Sequence, residues 1–194
     1  MKHIEDYFSN VIQSINNLDK KKILKIIELL KNLRSKNGRL FLIGVGGSAG
    51  NASHAVNDFR KLCNIDAYTP VDNISEITAK TNDEGFDTIF DSYLKLCKIN
   101  RKDILMVFSV GGGNQKKNVS VNLIKAIKYA KTKKTKIISV VGKIDGYAYK
   151  NSDISISINM KNEKLITPIS ETFQVLIWHL LVSHPVLQLN DTKW

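Results

Sequence analysis

The sequence predicts an α/β fold, with helices on both faces of a parallel sheet of about five strands. Three observations carry that reading. Short apolar runs alternate with longer segments whose apolar residues recur at helical spacing. Two of those runs end in glycine-rich turns, at residues 44–47 and 109–114, where a strand would hand over to a helix. A chain of 194 residues is also long enough for one domain with a sizeable core.

Two amphipathic helices open the chain. Residues 3–17 put Ile4, Phe8, Val11, Ile12 and Ile15 on one stripe, and Asp19 is placed to cap a second helix carrying Ile23, Ile26, Ile27, Leu30 and Leu33. Both precede the first strand, so residues 1–37 are expected as a helical pair outside the sheet or against another subunit. Residues 38–194 then form the αβα core. Gly38 ends the second helix and Arg39 opens a strand over residues 40–43. Ser48 is expected to cap a helix over 48–62. Residues 66–71 read as a short strand, Asp72-Asn73 and Thr81–Gly85 as polar turns, and 86–98 as a helix. Residues 104–108 form the clearest buried strand, followed by a helix over 120–131 and a strand over 136–141. Residues 154–158 alternate isoleucine and serine as a partly exposed edge strand does. A terminal helix starts near Thr167-Pro168, proline being favourable in a first turn, and carries Phe173, Leu176, Ile177, Leu180 and Leu181 inward.

Composition narrows the function classes. A hydrophobic content of 43% with few glycines and prolines marks an ordered, globular chain. The net charge of +11 invites a nucleic-acid reading, but the lysines at 20–22, 116–117 and 131–136 are not interleaved with aromatic residues as a stacking surface requires. Solvated helix ends and steering of anionic substrates account for the charge without nucleic acid. No apolar run approaches the roughly 18 residues of a membrane span, and Met1–Asp6 lacks a secretory core, so a cytoplasmic location is expected. Cys63 and Cys97 have neither metal-knuckle nor redox spacing and read as small buried residues.

The chemistry concentrates between Phe41 and Arg60. A strand, a glycine turn and a helix start make an anion site, because glycine lets a ligand approach the backbone and the first helical N–H groups lack intrahelical acceptors. His54 and Asp58 follow, one helical turn apart and so on one face. The second glycine turn, Ser109 to Asn114, lies at another strand's carboxyl end, where ligands of such sheets bind.

These features resemble the sugar isomerase (SIS) domain family, and within it the phosphoheptose isomerases, which convert sedoheptulose 7-phosphate to D-glycero-D-manno-heptose 7-phosphate. The most specific marks are Gly46-Gly47-Ser48 followed by His54, the segment Thr81-Asn-Asp-Glu-Gly-Phe86, and Glu171 with His179. The resemblance implies a flavodoxin-like αβα sandwich, a homotetramer with active sites between subunits, and Zn2+ or another divalent metal. It also implies a role in making a lipopolysaccharide or capsule precursor. By the same resemblance, His54, Asp58, Glu171 and His179 are metal ligands, and Asp58 and His179 share the proton work. Gly46, Gly47, Ser48, Asn82, Asp83, Ser109, Gly111, Gly112 and Asn114 are then substrate-binding residues, with Ser48 on the phosphate.

The chain departs from the family pattern at four points. Val45 stands where the family has asparagine, Asp58 where it has glutamate, and Glu171 where it has glutamine. The second phosphate loop is glycine-rich, keeping a hydroxyl only at Ser109. Such a loop binds phosphate through backbone N–H groups with help from Lys116 or Lys117, or leaves room for a diphosphate or nucleotide. The expected function is therefore a metal-assisted aldose–ketose isomerase of a phosphorylated sugar. Its alternatives are a non-catalytic phosphosugar- or protein-binding SIS module and an enzyme acting on a nucleotide-linked sugar.

Overall fold

The computed structural model describes residues 1–158, 160 and 162–192. Helices α1 (Lys2–Asn16) and α2 (Lys20–Ser35) lead into strand β1 (Leu40–Ile43). There follow α3 (Gly47–Cys63), β2 (Ala67–Tyr68), α4 (Ile74–Glu84), α5 (Ile89–Leu96), β3 (Ile104–Ser109) and α6 (Val121–Thr132). The chain then runs through β4 (Lys136–Val141), α7 (Tyr147–Asn151), β5 (Ile154–Ser157) and α8 (Ile166–Val182).

The strands form one parallel sheet in the order β2-β1-β3-β4-β5. Successive side chains of a strand point to opposite faces, and here both faces are apolar. Leu40, Leu42, Met106, Phe108, Ile138 and Val140 bury against α2, α3 and α8. Phe41, Ile43, Leu105, Val107, Ile137 and Val141 bury against α5, α6 and α7 on the other face. Each such side chain contributes about 1.5–3 kcal/mol by leaving water. Because β1 and β3 are neighbours while the helices that follow them, α3 and α6, cover opposite faces, a crevice opens between their carboxyl ends.

Helix α1 lies outside this sandwich. Tyr7 and Val11 rest on the core, whereas Ile4, Phe8, Ile12 and Ile15 remain exposed. That apolar stripe is left uncovered within this chain.

The local differences from expectation have identifiable causes. Gly46, with φ of 64°, precedes α3 and the helix begins at Gly47, so Ser48 is a buried residue of the first turn and not a cap. Asn73 caps α4 by accepting from the Glu76 N–H at 3.3 Å, and the helix runs through Thr81–Glu84, replacing the expected turn; Gly85 (φ 87°) ends it. The strand expected over 66–71 shrinks to Ala67–Tyr68, since Thr69 accepts from the Val71 N–H at the start of a 3-10 turn at Pro70–Asp72. Helix α7 carries no clear periodic signal in five residues. Cys63 is buried, with its thiol pushed up to about 11 mainly by desolvation, while Cys97 is only partly covered. One segment, Glu163–Val182, is long and apolar enough to cross a membrane by composition, contrary to the expectation that no run is. Half of that window is buried, and it includes the core helix α8.

At the amino-terminal edge of the sheet, Arg39 donates to Asp103 from Nη2 at 2.7 Å and from Nε at 3.2 Å. The Asp103 carboxylate is buried and also accepts from the Arg39 and Asn100 backbone N–H groups. Removing it leaves those backbone donors unpaired and the guanidinium with only the Cys97 and Lys98 carbonyls as acceptors. Asp103→Ala is expected to cost about 3 kcal/mol, read from urea unfolding. Lys136→Ala, which breaks the exposed pair with Asp153, is expected to cost under about 1 kcal/mol.

Candidate functional site

Helices α3 and α8 lie side by side and run in the same direction. Gly47 meets Glu171 at one end, and the Cys63 thiol meets the Val182 carbonyl at the other. A chain of polar contacts fixes this register. Asn51 Nδ2 donates to the Glu171 carbonyl at 3.0 Å and to Gln174 Oε1 at 2.9 Å. Gln174 Nε2 in turn donates to Ser48 Oγ at 3.0 Å, with both residues buried. Glycine at 47 leaves room for the Glu171 carboxylate, whose atoms would stand 2.5–2.6 Å from a Cβ at that position.

In that register Asp58, four residues after His54, faces His179 across the helix pair. Asp58 Oδ2 lies 3.9 Å from His54 Nε2 and 3.7 Å from His179 Nε2. Its other oxygen accepts from Asn57 Nδ2 at 2.9 Å. The imidazole centroids are 5.8 Å apart, and the buried indole of Trp178 backs His54 edge-on at 4.7 Å. Asp58 is 7% exposed, whereas the side chains of His54 and His179 are 60% and 51% exposed, so the group is rooted in the core and open outward.

One donor atom from each of His54, Asp58 and His179 lies within 4.8 Å of the others. The measured carboxylate–imidazole separations exceed hydrogen-bond length but come close to the spacing between ligands of one tetrahedral ion, about 3.4 Å for bonds of about 2.1 Å. Nitrogen and oxygen donors of this kind suit a borderline divalent metal. Burial lowers the pKa of His179 below the ordinary imidazole range, His54 adds to the effect, and the carboxylate of Asp58 only partly opposes it. A neutral imidazole with a free lone pair is the form that binds metal or accepts a proton.

Other expected site residues are distributed differently. Glu171 stands over the glycine turn at Gly47 and outside the three-residue cluster. Ser109 Oγ accepts from the Gly112 N–H at 2.9 Å and shapes its own loop. Gly111 and Asn114 line a cavity of about 200 Å³ together with Lys117 and Lys143. Asn82 and Asp83 are exposed at the end of α4, hydrogen-bonded to each other at 2.8 Å. Asn51, Gln174 and Trp178, which hold the site together, carry no motif in the sequence. Their only signal is position: Asn51 and Gln174 lie one turn from residues the motif marks, and Trp178 adjoins His179.

The description "SIS domain" fits residues 5–142 of the chain. The lincomycin biosynthesis protein LmbN of Streptomyces lincolnensis is 32% identical over 81% of this chain, which spans 59% of that relative's length. A phosphoheptose isomerase of Buchnera aphidicola is 30% identical over 81% of this chain and 77% of its own. The solved structure of phosphoheptose isomerase GmhA from Neisseria gonorrhoeae superposes with a TM-score of 0.79 over 93% of this chain and 96% of its own, at 22% identity.

Titration with Zn2+ is expected to show one tight site per chain. His54→Ala and His179→Ala should each weaken it by about 100-fold or more, since loss of even an outer partner of a metal ligand costs about 10–100-fold. Ser183→Ala, on the same helix end, should leave binding unchanged.

Proposed function

The chain belongs to the SIS domain family and, within it, to the phosphoheptose isomerase branch, and on that premise we propose a metal-assisted aldose–ketose isomerase whose substrate is sedoheptulose 7-phosphate. The observation that carries the reading is the convergence of His54, Asp58 and His179 from two helices onto one point. The product, a heptose 7-phosphate, suits assembly of a surface polysaccharide.

Moving a carbonyl between neighbouring carbons requires a base to take a proton beside the carbonyl and an acid to return it to the neighbouring carbon. His179, held neutral by its partly desolvated position, is the group that takes the proton. Asp58, 3.7 Å away, shares the proton work with His179, and its burial between the two helices holds it there. His54, Asp58 and His179 would hold Zn2+, which when bound supplies positive charge to the enediolate oxygens. The cavity at the glycine loop offers the phosphate the cations of Lys117 and Lys143, with the Asp145 carboxylate beside them. Gripping that end places the reacting carbons, where small misplacements cost orders of magnitude in rate. The exposed stripe of α1 supports a homotetramer, and the half-exposed imidazoles leave room for a neighbouring subunit to close the site.

In deuterated buffer, the metal-loaded protein is expected to exchange the proton beside the carbonyl of sedoheptulose 7-phosphate. Asp58→Asn and His179→Ala should slow that exchange by about 100-fold or more. A folded, metal-loaded sample that exchanges no proton would discard the heptose assignment.

A further inference from the structure

At the end of the sheet opposite the glycine turns, helix α2 and the first residues of β3, β4 and β5 (Ile104, Lys136 and Ile154) bound a groove. Two cavities of about 560 and 450 Å³ make it up, and they share Leu29, Asn32 and Lys136. The helix contributes Lys25, Leu29, Asn32 and Lys36, spaced by three and four residues and so on one face. That stretch of helix is about 16 Å long.

The floor of the groove is aliphatic. Leu24, Leu29, Ile104 and Ile154 line it, and Leu24 is left 57% exposed on a helix whose Ile23, Ile27 and Leu30 are buried. Its rim is cationic. Lys25, Lys36, Arg101 and Lys102 are exposed there, and none forms an ion pair among the described residues. The acids nearby are already paired: Glu28 with Lys31 at 3.9 Å, Asp103 with Arg39 at 2.7 Å and Asp153 with Lys136 at 2.6 Å. The turn that carries Arg101 and Lys102 is held in place. Asp103 accepts from the Asn100 N–H at 3.0 Å, and Gly38 lets the turn pack closely, since a Cβ there would stand 2.1 Å from the Lys102 carbonyl oxygen.

An elongated groove with an aliphatic floor and unpaired cations along its rim is complementary to an amphipathic helix bearing carboxylates beside its apolar side chains. Nucleic acid would satisfy the rim but has no aliphatic surface for the floor, and no aromatic residue lines the groove for a base to stack on. A second copy of the chain brings its own net charge of +11 to the contact. We propose that this groove docks an acidic amphipathic helix of another protein, about three turns long, with its apolar side chains on Leu24 and Leu29 and its carboxylates toward Lys36, Arg101 and Lys102. Docking at this end of the strands leaves the glycine turns at the other end open to substrate.

Fluorescence anisotropy of the full chain tests this with three labelled probes: a stapled helical peptide of about 12 residues with a leucine stripe flanked by glutamates, the same peptide with lysines for glutamates, and a DNA duplex of similar length. The acidic peptide is expected to bind, more weakly as salt rises, and the lysine peptide is not. Lys36→Glu combined with Arg101→Glu should weaken binding about tenfold or more, and Leu24→Ser about fivefold. Lys116→Glu, an exposed position at the other end of the sheet, should change it by under about twofold. His179→Ala should bind the peptide as the wild type does, which separates this result from the isomerase reading. An acidic peptide that does not bind overturns the proposal. So does equal binding of the lysine peptide or the duplex, or an affinity indifferent to Leu24→Ser or lowered as much by Lys116→Glu, because each leaves no role for the groove. Sedimentation of the same samples tells whether a second copy sits there: an oligomer that dissociates in Leu24→Ser or in the double variant overturns the proposal as well.

Discussion

The site depends on the pairing of α3 with α8 in one register and one direction. Two parallel helices set side by side bring residues at matching heights together, so fixing one level fixes all the others. Here the fixed level is the first turn of α3, where Gly47 admits Glu171 and where Asn51, Gln174 and Ser48 share buried hydrogen bonds. About two turns further on, that register places His54 and Asp58 against Trp178 and His179. A slip of one helical turn, about 5.4 Å, would separate the imidazoles from the carboxylate they share. The buried polar contacts therefore matter through geometry more than through stability. Each is worth about 1 kcal/mol net, but together they admit one alignment.

The sheet supplies the second constraint. Strand β1 sits inside the sheet with β2 on one side and β3 on the other, so the chain must leave it toward one face and return on the other. The crevice this creates is where the two glycine turns, the 114–119 hairpin and the start of α6 come together. Two chemically different cavities flank the hairpin, one with lysines and one with neutral polar groups. The imidazole pair and Asp58 stand on the face covered by α3 and α8.

Much of this was legible in the sequence because it rests on periodicity and on residues whose conformational range is distinctive. Alternation of apolar runs and helical segments gave the sheet, and Gly46 and Gly47 marked the turn into α3. The four-residue spacing of His54 and Asp58 put them on one face. What sequence reasoning misplaced depends on contacts between distant segments. Nothing local tells that Ser48 accepts from Gln174 or that Glu171 stands over Gly47, whereas the meeting of His179 with Asp58 follows only from the family resemblance. The segment at 81–84 looked like a turn because its residues are polar and short. The cap at Asn73 and the stop at Gly85 made it the end of a helix instead.

The most direct test of the central claim, that the α3–α8 pairing brings two imidazoles and one carboxylate onto a single ion, is X-ray absorption at the zinc edge of the zinc-loaded protein. The account predicts nitrogen and oxygen neighbours at about 2.0–2.2 Å with the outer scattering of two imidazole rings. A spectrum with sulfur neighbours at about 2.3 Å, or with one imidazole or none, would contradict it.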